Sequence, residues 1–446
     1  MAAIVRRPPM FYGWILVCVL GVTTIISYGS TSYAFGVLIV PITQDLGWSR
    51  AELSGALSLS ILLAGVLGLP VGHLVDRYGA RVLMTVGSSV TGLVLIALAS
   101  VHDVWQFDLL WGLGLGLGTA LTYYSVSFTV VANWFQQRRG AALAWLTTLG
   151  GLASVTFIPL TAWLVPQLGW RSAVIVLGLI NLAIALPLHL FVLRRHPEDL
   201  GLRVDGQSAE VTPPLEADGK KVTVTPLAAD RTKAAMSGLT AREALAGSAF
   251  WLLTLAAGLD QLSAMVVWAH QIAFSISRGF DPVFAAGIAS IIGIMSLPGR
   301  FLLNQVSDRI DPQRVLALVL LTMGLGIALL TMATTVWLLY AYVVVYGIAF
   351  GARSPLRASV MAEHFGRRAY GAITAAQGIV VAVPAAFGPL AAGWLYDRLG
   401  NYQLAFWLTA LGFAAAAATV YLTPRPTGRA AGREDHRDSL DHATQR

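Results

Sequence analysis

The residues best placed to do chemistry are charges standing inside long apolar stretches. Arg300 lies roughly 12 Å inside the end of its segment marked by Asp308, counted at 1.5 Å per residue, a depth at which an unpaired charge in hydrocarbon costs a few kcal/mol. An aqueous cavity relieves that cost, and a planar guanidinium can grip a carboxylate through two parallel bonds, so an anionic substrate suits it. Two readings stay open at this point: contact with substrate, and a purely structural ion pair. Asp260 is the one carboxylate placed near mid-membrane, roughly 20 Å into its segment. Its height brings it within reach of Arg300, and its protonation would release that arginine. Arg353 and Arg357 are one helical turn apart and share a face. They are read as an inner-gate network with Asp308 or Glu363, the alternative being a second anion site. Tyr28, Tyr123, Tyr124, Gln261, Trp268 and Gln377 are candidate cavity-lining residues, since hydroxyls and amides orient a carboxylate and aromatic rings shape an apolar pocket.

The elements that must hold these residues follow from composition. The 446 residues are 56% hydrophobic and only 12% charged, where a soluble protein devotes about 25% to charge. Apolar stretches of about 20 residues, the length that crosses a hydrocarbon core about 30 Å thick, recur from Tyr12 to Leu422. Only helices and closed barrels satisfy their backbones there. A barrel needs short alternating segments, whereas 82–100 and 315–331 are continuously apolar, so the spans are helices. They are expected at 12–41, 50–74, 80–100, 104–133, 139–165, 170–194, 247–275, 282–307, 313–333, 336–364, 370–395 and 401–423. The fold class is therefore an all-α membrane protein of twelve transmembrane helices.

The net charge of +7 is distributed by topology, with no nucleic-acid role required. With both termini in the cytoplasm, 23 of the 30 Lys and Arg residues fall on cytoplasmic segments, four (Arg50, Arg171, Arg278, Arg398) fall outside, and three lie within helices. Residues 1–195 are expected to form one six-helix bundle and 247–424 the second. Between them, 196–246 holds every lysine and lacks apolar periodicity, so it reads as a cytoplasmic loop, and 425–446 reads as a charged cytoplasmic tail. The halves repeat at an offset of about 231 residues. Asp76-Arg77 returns as Asp308-Arg309, and Phe135 with Arg138-Arg139-Gly140-Ala141 returns as Phe365 with Arg367-Arg368 and Gly371-Ala372.

The loop after the second helix reads Gly72-His73-Leu74-Val75-Asp76-Arg77-Tyr78-Gly79-Ala80-Arg81 and matches G-x-L-x-D-R-x-G-x-R at all its fixed positions. It resembles the signature loop of the major facilitator superfamily, and that resemblance covers nearly the whole chain. It implies two pseudo-symmetric bundles that rock about a midplane cavity, and it makes Gly72, Asp76, Arg77, Gly79 and Arg81 a latch on one access state. Its copy around Asp308 and Arg309 is degraded, with Asn304 and Asp311 where glycines would stand. Within the superfamily, Tyr12-Gly13-Trp14, Tyr33-Ala34-Phe35-Gly36-Val37, Trp48-Ser49-Arg50-Ala51 and Asn133-Trp134-Phe135 resemble the monocarboxylate porter and oxalate:formate antiporter group.

In that group an arginine of helix 8, four residues before the first glycine of the second signature loop, holds the substrate carboxylate, and Arg300 occupies that position. Asp260 resembles the acidic residues that related porters pair with the arginine for proton coupling. Ser296 stands where mammalian members have an aspartate, and Ser32 or Tyr33 where they have a lysine. Gln377 stands near the place of the second cation of the oxalate pattern, which favours a monocarboxylate over a dicarboxylate.

The expectation is a proton-coupled carrier of a small organic monocarboxylate in the plasma membrane, a bacterial cell's cytoplasmic membrane included, with no cofactor beyond protons as coupling ion. Anion exchange and efflux of amphipathic compounds are the alternatives on the same fold, and a non-transporting sensor is the least favoured. Its partners are the small organic anion and the lipid bilayer; the sequence leaves its oligomeric state open. The single cysteine, Cys18, excludes an internal disulfide, and His189 and His270 lack a second ligand at metal spacing. The glycine run 112–118 follows no strand and serves close helix packing. No arrangement of serine, histidine and acid supports catalysis.

Overall fold

A backbone in hydrocarbon has no water to bond, so each apolar stretch closes its hydrogen bonds within itself as a helix. The computed structural model describes residues 11–206, 238–307, 310–366 and 368–424, apart from the side chains of 69, 76 and 301–307. Asp308, Arg309, the Asp76 side chain, most of the central loop and the C-terminal tail lie outside the described residues. The first bundle opens with α1 (Tyr12–Leu46), α2 (Arg50–Tyr78), α3 (Ala80–Ser100) and α4 (Val104–Trp134). A 54-residue apolar stretch, Arg139–Val192, follows. It is two spans, α5 (139–168) and α6 (170–192), because Gly169 at φ 78° and ψ 161° reverses the chain in a conformation that a side chain would forbid. The second bundle comprises α7 (Ser248–Ser277), α8 (Pro282–Ser307), α9 (Pro312–Thr331), α10 (Val336–Phe365), α11 (Tyr370–Leu399) and α12 (Gln403–Leu422). Twelve spans thus stand among the described residues, and the one β-type pairing there is the isolated Gly238–Gly366 bridge.

Two boundaries differ from the sequence reading for physical reasons. The first helix does not stop at Pro41 but runs to Leu46, since a proline inside a membrane helix costs little where neighbouring helices cover the freed backbone group. The central loop is not wholly irregular. Thr240-Ala-Arg-Glu243 forms a capping box that starts a short helix, Ala241–Ala246. The Thr240 backbone N–H donates to the Glu243 carboxylate at 2.7 Å. With the Thr240 hydroxyl, it holds that carboxyl below the usual range.

Close packing of small residues sets the candidate site. A Cβ on Gly351 of α10 would overlap the Ser296 carbonyl of α8, and one on Gly299 would overlap the Ile348 carbonyl. The two backbones therefore touch beside Arg300 and Arg353. Each arginine also sits two residues from an internal proline, Pro298 in α8 and Pro355 in α10, which frees a carbonyl one turn back and bends the helix.

The bundles meet through α2 with α11, α5 with α8, and α1 with α7. At the end opposite the loop 72–81, the Asp397 carboxylate of α11 accepts the Arg50 and Ala51 backbone N–H groups of α2 at 2.9 and 2.8 Å. A Cβ on Gly393 would stand 2.7 Å from the Arg50 carbonyl. One turn deeper, Ser54 of α2 lies 3.3 Å from His270 of α7, which also contacts Tyr402 and the Pro389 carbonyl. Contact between α2 and α11 continues as far as Gly65 and Ala382, while Gly68, Gly72, Gly371 and Gly378 have nothing within 4 Å of their Cβ positions. The interface is closed at the Asp397 end, and α2 and α11 part towards the basic loops.

Candidate functional site

The cavity between the bundles has a volume of about 180 Å³. Its walls come from both halves: Tyr28 and Tyr33 of α1 and Ser154 of α5 face Trp268 of α7, Arg300 of α8 and Phe350 of α10. Alpha-helical spacing alone would not bring Tyr28 and Tyr33, five residues apart, to one wall. The segment Gly29–Tyr33 is a π-helical turn, wider by one residue, and such turns recur at functional sites. Tyr33 meets Trp268 edge to face at 5.4 Å between centroids. The Trp268 indole N–H is buried without an acceptor in the wall.

Arg300 lines this cavity, and its Nη1 donates to the Thr147 carbonyl of α5 at 2.8 Å, a bond that crosses the bundle interface. Of the other residues expected to line it, Tyr28 and Trp268 do so. Tyr123 and Tyr124 stand behind Tyr28. Tyr123 stacks on it at 3.7 Å and shares hydrogen bonds with Thr31 and Ser32, while Tyr124 lies 5.2 Å from it. Tyr123 reaches this place because α4 breaks there, with ψ −178° ending one helical segment before the next begins. Gln261 is absent from the cavity wall. Gln377 lies buried in a separate space of about 20 Å³, with its amide 3.5 Å from the Met361 sulfur.

Asp260 is bonded to Arg353 rather than to Arg300. The Arg353 Nη1 donates to its Oδ1 at 2.9 Å, and the two side chains are only 13% and 4% exposed for Arg353 and Asp260 respectively. This pair stands between the two spaces, because Arg353 borders both. Arg357 lies one turn along α10 in the smaller space with Asp260 and Gln377. Arg353, read with Asp308 or Glu363 as an inner-gate network, bonds Asp260, and Asp308 lies outside the described residues. Cavity residues that the sequence reading did not select are Tyr33, Ser154, Gln271, Tyr346 and Phe350. A signal for two of them was present. Tyr346, Phe350, Arg353 and Arg357 follow at i, i+4, i+7 and i+11, the spacing of one helix face.

In the loop 72–81, Gly79 turns the chain at φ 82°. The Arg77 guanidinium lies over the Tyr78 ring at 5.2 Å, its carbonyl accepts from Arg195, and Arg81 Nε donates to the Leu190 carbonyl at 2.8 Å. Gly72 is exposed. The loop therefore ties α2 and α3 to the end of α6, within its own bundle.

Twelve spans in two bundles around a midplane cavity define a secondary-transporter architecture. A family model described as Major Facilitator Superfamily matches residues 20–323 and 297–443. The chain belongs to the major facilitator superfamily and is a multi-pass integral membrane transporter of small molecules, not an enzyme. Among its relatives, Monocarboxylate transporter 13 of Bos taurus is 27% identical over 429 residues, covering 95% of this chain and 92% of its own. Monocarboxylate transporter 11 of Mus musculus is 25% identical, over 92% of this chain and 87% of its own. A solved D-xylose-proton symporter shares the fold with a TM-score of 0.70 at 14% identity, over 94% of this chain and 100% of that one. A bacterial homologue of the human lysosomal transporter Spinster, solved in an inward-facing, unoccupied conformation, gives 0.65 at 17%, over 93% and 95%.

Proposed function

We propose that this transporter carries a small organic monocarboxylate by alternating access, coupled to protons. The observation that carries the reading is Arg300, a guanidinium in the wall of the cavity between the two bundles. Among the described residues no carboxylate side chain lines that cavity, and a second arginine that does, Arg353, is bonded to Asp260. A guanidinium in that wall suits an organic anion, whose carboxylate it can meet through two parallel bonds. The names of the relatives support the same substrate class.

In this reading Arg300 takes the substrate carboxylate in place of the Thr147 carbonyl, releasing a bond between α5 and α8 as it does so. Substrate binding is thereby linked to the fit of the two bundles. Asp260 is the proton acceptor: its protonation removes the charge that holds Arg353 and leaves that arginine able to meet an anion. The basic end faces the cytoplasm by the excess of arginine on its loops. With the Asp397 end closed, the conformation is inward-facing.

The test is uptake of a panel of labelled monocarboxylates, from lactate and pyruvate to larger related acids, into proteoliposomes holding the full chain, with and without an inward proton gradient. The expected result is uptake that the gradient accelerates and that Arg300→Gln abolishes. Carboxylate uptake unaffected by Arg300→Gln, or no carboxylate uptake by a chain that moves a neutral or cationic solute, overturns the reading.

A further inference from the structure

We infer that the acid carried in this cavity bears an aryl ring on a short arm, and that three-carbon acids are poor substrates. The inference rests on the monocarboxylate reading and narrows it. Five aromatic side chains face the space: Tyr28 and Tyr33 from one bundle, Trp268, Tyr346 and Phe350 from the other. They are braced rather than loose. Tyr28 is backed by the stacked ring of Tyr123, Tyr33 rests edge-on against Trp268, and Phe350 is stacked with Tyr346 at 6.0 Å and covered by the Arg353 guanidinium at 5.1 Å. Rings held at fixed angles form a slot whose preferred occupant is another ring, because offset and edge-to-face arrangements add to plain area burial.

The polar groups of the wall point the same way, because several are already engaged by the protein. The Gln271 amide oxygen accepts from the Tyr342 hydroxyl at 2.6 Å, the Ser296 hydroxyl donates to the Gly293 carbonyl at 2.7 Å, and Arg353 is held by Asp260. The second oxygen of a three-carbon hydroxy or keto acid would depend on the wall groups that remain, the Trp268 N–H among them. An aryl ring requires no such partner.

A three-carbon acid held at Arg300 would leave these ring faces uncovered and forfeit contacts along the aromatic walls. The carboxylate goes to Arg300 at one side of the space, and the ring occupies the slot between the bundles, where it contacts both halves at once.

The experiment measures half-saturation for direct uptake of labelled 3-phenylpropionate, cyclohexanepropionate, lactate and acetate into proteoliposomes of the full chain, with 3-phenylpropanamide and a cationic amphiphile as controls. The expected order is phenylpropionate, then cyclohexanepropionate, then lactate and acetate, with at least a tenfold gap between the first and the last pair, the factor that burial of one aromatic side chain supplies. Phe350→Ala should shrink that gap several-fold. Short acids taken up as well as phenylpropionate, or a gap that Phe350→Ala leaves unchanged, overturn the aryl inference while the monocarboxylate reading stands. Uptake of the amide or the cationic amphiphile with no acid transported overturns both.

Discussion

Replacing Asp260 by asparagine leaves the Arg353 guanidinium without its carboxylate in a place where the pair is 13% and 4% exposed. At 2.9 Å and an effective dielectric constant of about 20, the attraction lost is roughly 6 kcal/mol. Part of that offsets the cost of burying the two charges, and removing one partner of such a pair typically destabilises by about 3–5 kcal/mol. Arg353→Gln should cost more than Asp260→Asn, because it strands the more deeply buried of the two charges. The double variant should cost less than the sum of the singles, since both stranded charges are then gone. Thermal unfolding of the purified proteins in one detergent reads all three. In proteoliposomes, Asp260→Asn should lose acceleration by a proton gradient while keeping exchange of labelled for unlabelled substrate across the membrane. A single variant as stable as the parent, together with gradient-driven accumulation by Asp260→Asn, would refute both the energetic role of the pair and its part in coupling.

Arg300→Lys keeps the charge but loses the paired geometry of the guanidinium, and should lower carboxylate uptake at least about tenfold while raising the half-saturation concentration; a concentration series checks it. Asp397→Asn removes a charged acceptor from two backbone N–H groups, each such bond being worth about 1.5–3 kcal/mol. It should open the Asp397 end more often, so that a cysteine placed at Ser54 in a Cys18→Ser background reacts roughly ten to a hundred times faster with a membrane-impermeant thiol reagent; an unchanged rate would remove Asp397 from the gate. Gly351→Ala forces a methyl group onto the Ser296 carbonyl and should destabilise by about 3 kcal/mol or more, through overpacking that no flexible side chain can relieve. Its melting temperature against that of Gly371→Ala, where the space is open, separates packing from loss of a glycine in a helix.

The scaffold is legible in the sequence because its cause is one-dimensional. A hydrocarbon core of fixed thickness demands apolar runs of fixed length, and the chain supplies them. The place between α5 and α6 is marked by Gly169, whose backbone only glycine adopts readily. The depth of Arg300 and Asp260 is legible for the same reason, since rise per residue converts number into height. Their partners are not. Height says nothing of azimuth, and Asp260 turns to Arg353 because of how α7 faces α10, a matter of packing between helices distant in sequence. Tyr33 escaped selection because a regular helix puts it on a different face from Tyr28, and nothing in 29–33 announces the widened turn. Tyr346 and Phe350 share a face with the selected arginines and were within reach of a periodicity argument carried one turn further.

That widened turn in α1 has a mechanical corollary. A π-helical turn stores one residue more than its neighbours, and restoring ordinary winding at Gly29–Tyr33 would lengthen α1 by about 1.5 Å and twist one of its ends against the other by about 100°. The first helix thus contains a screw joint at the level of the cavity. A motion of that size would carry Tyr33 out of the wall while the segment at Tyr12 stayed anchored, so that part of the route could be reshaped from within one span, without any displacement of the bundle around it.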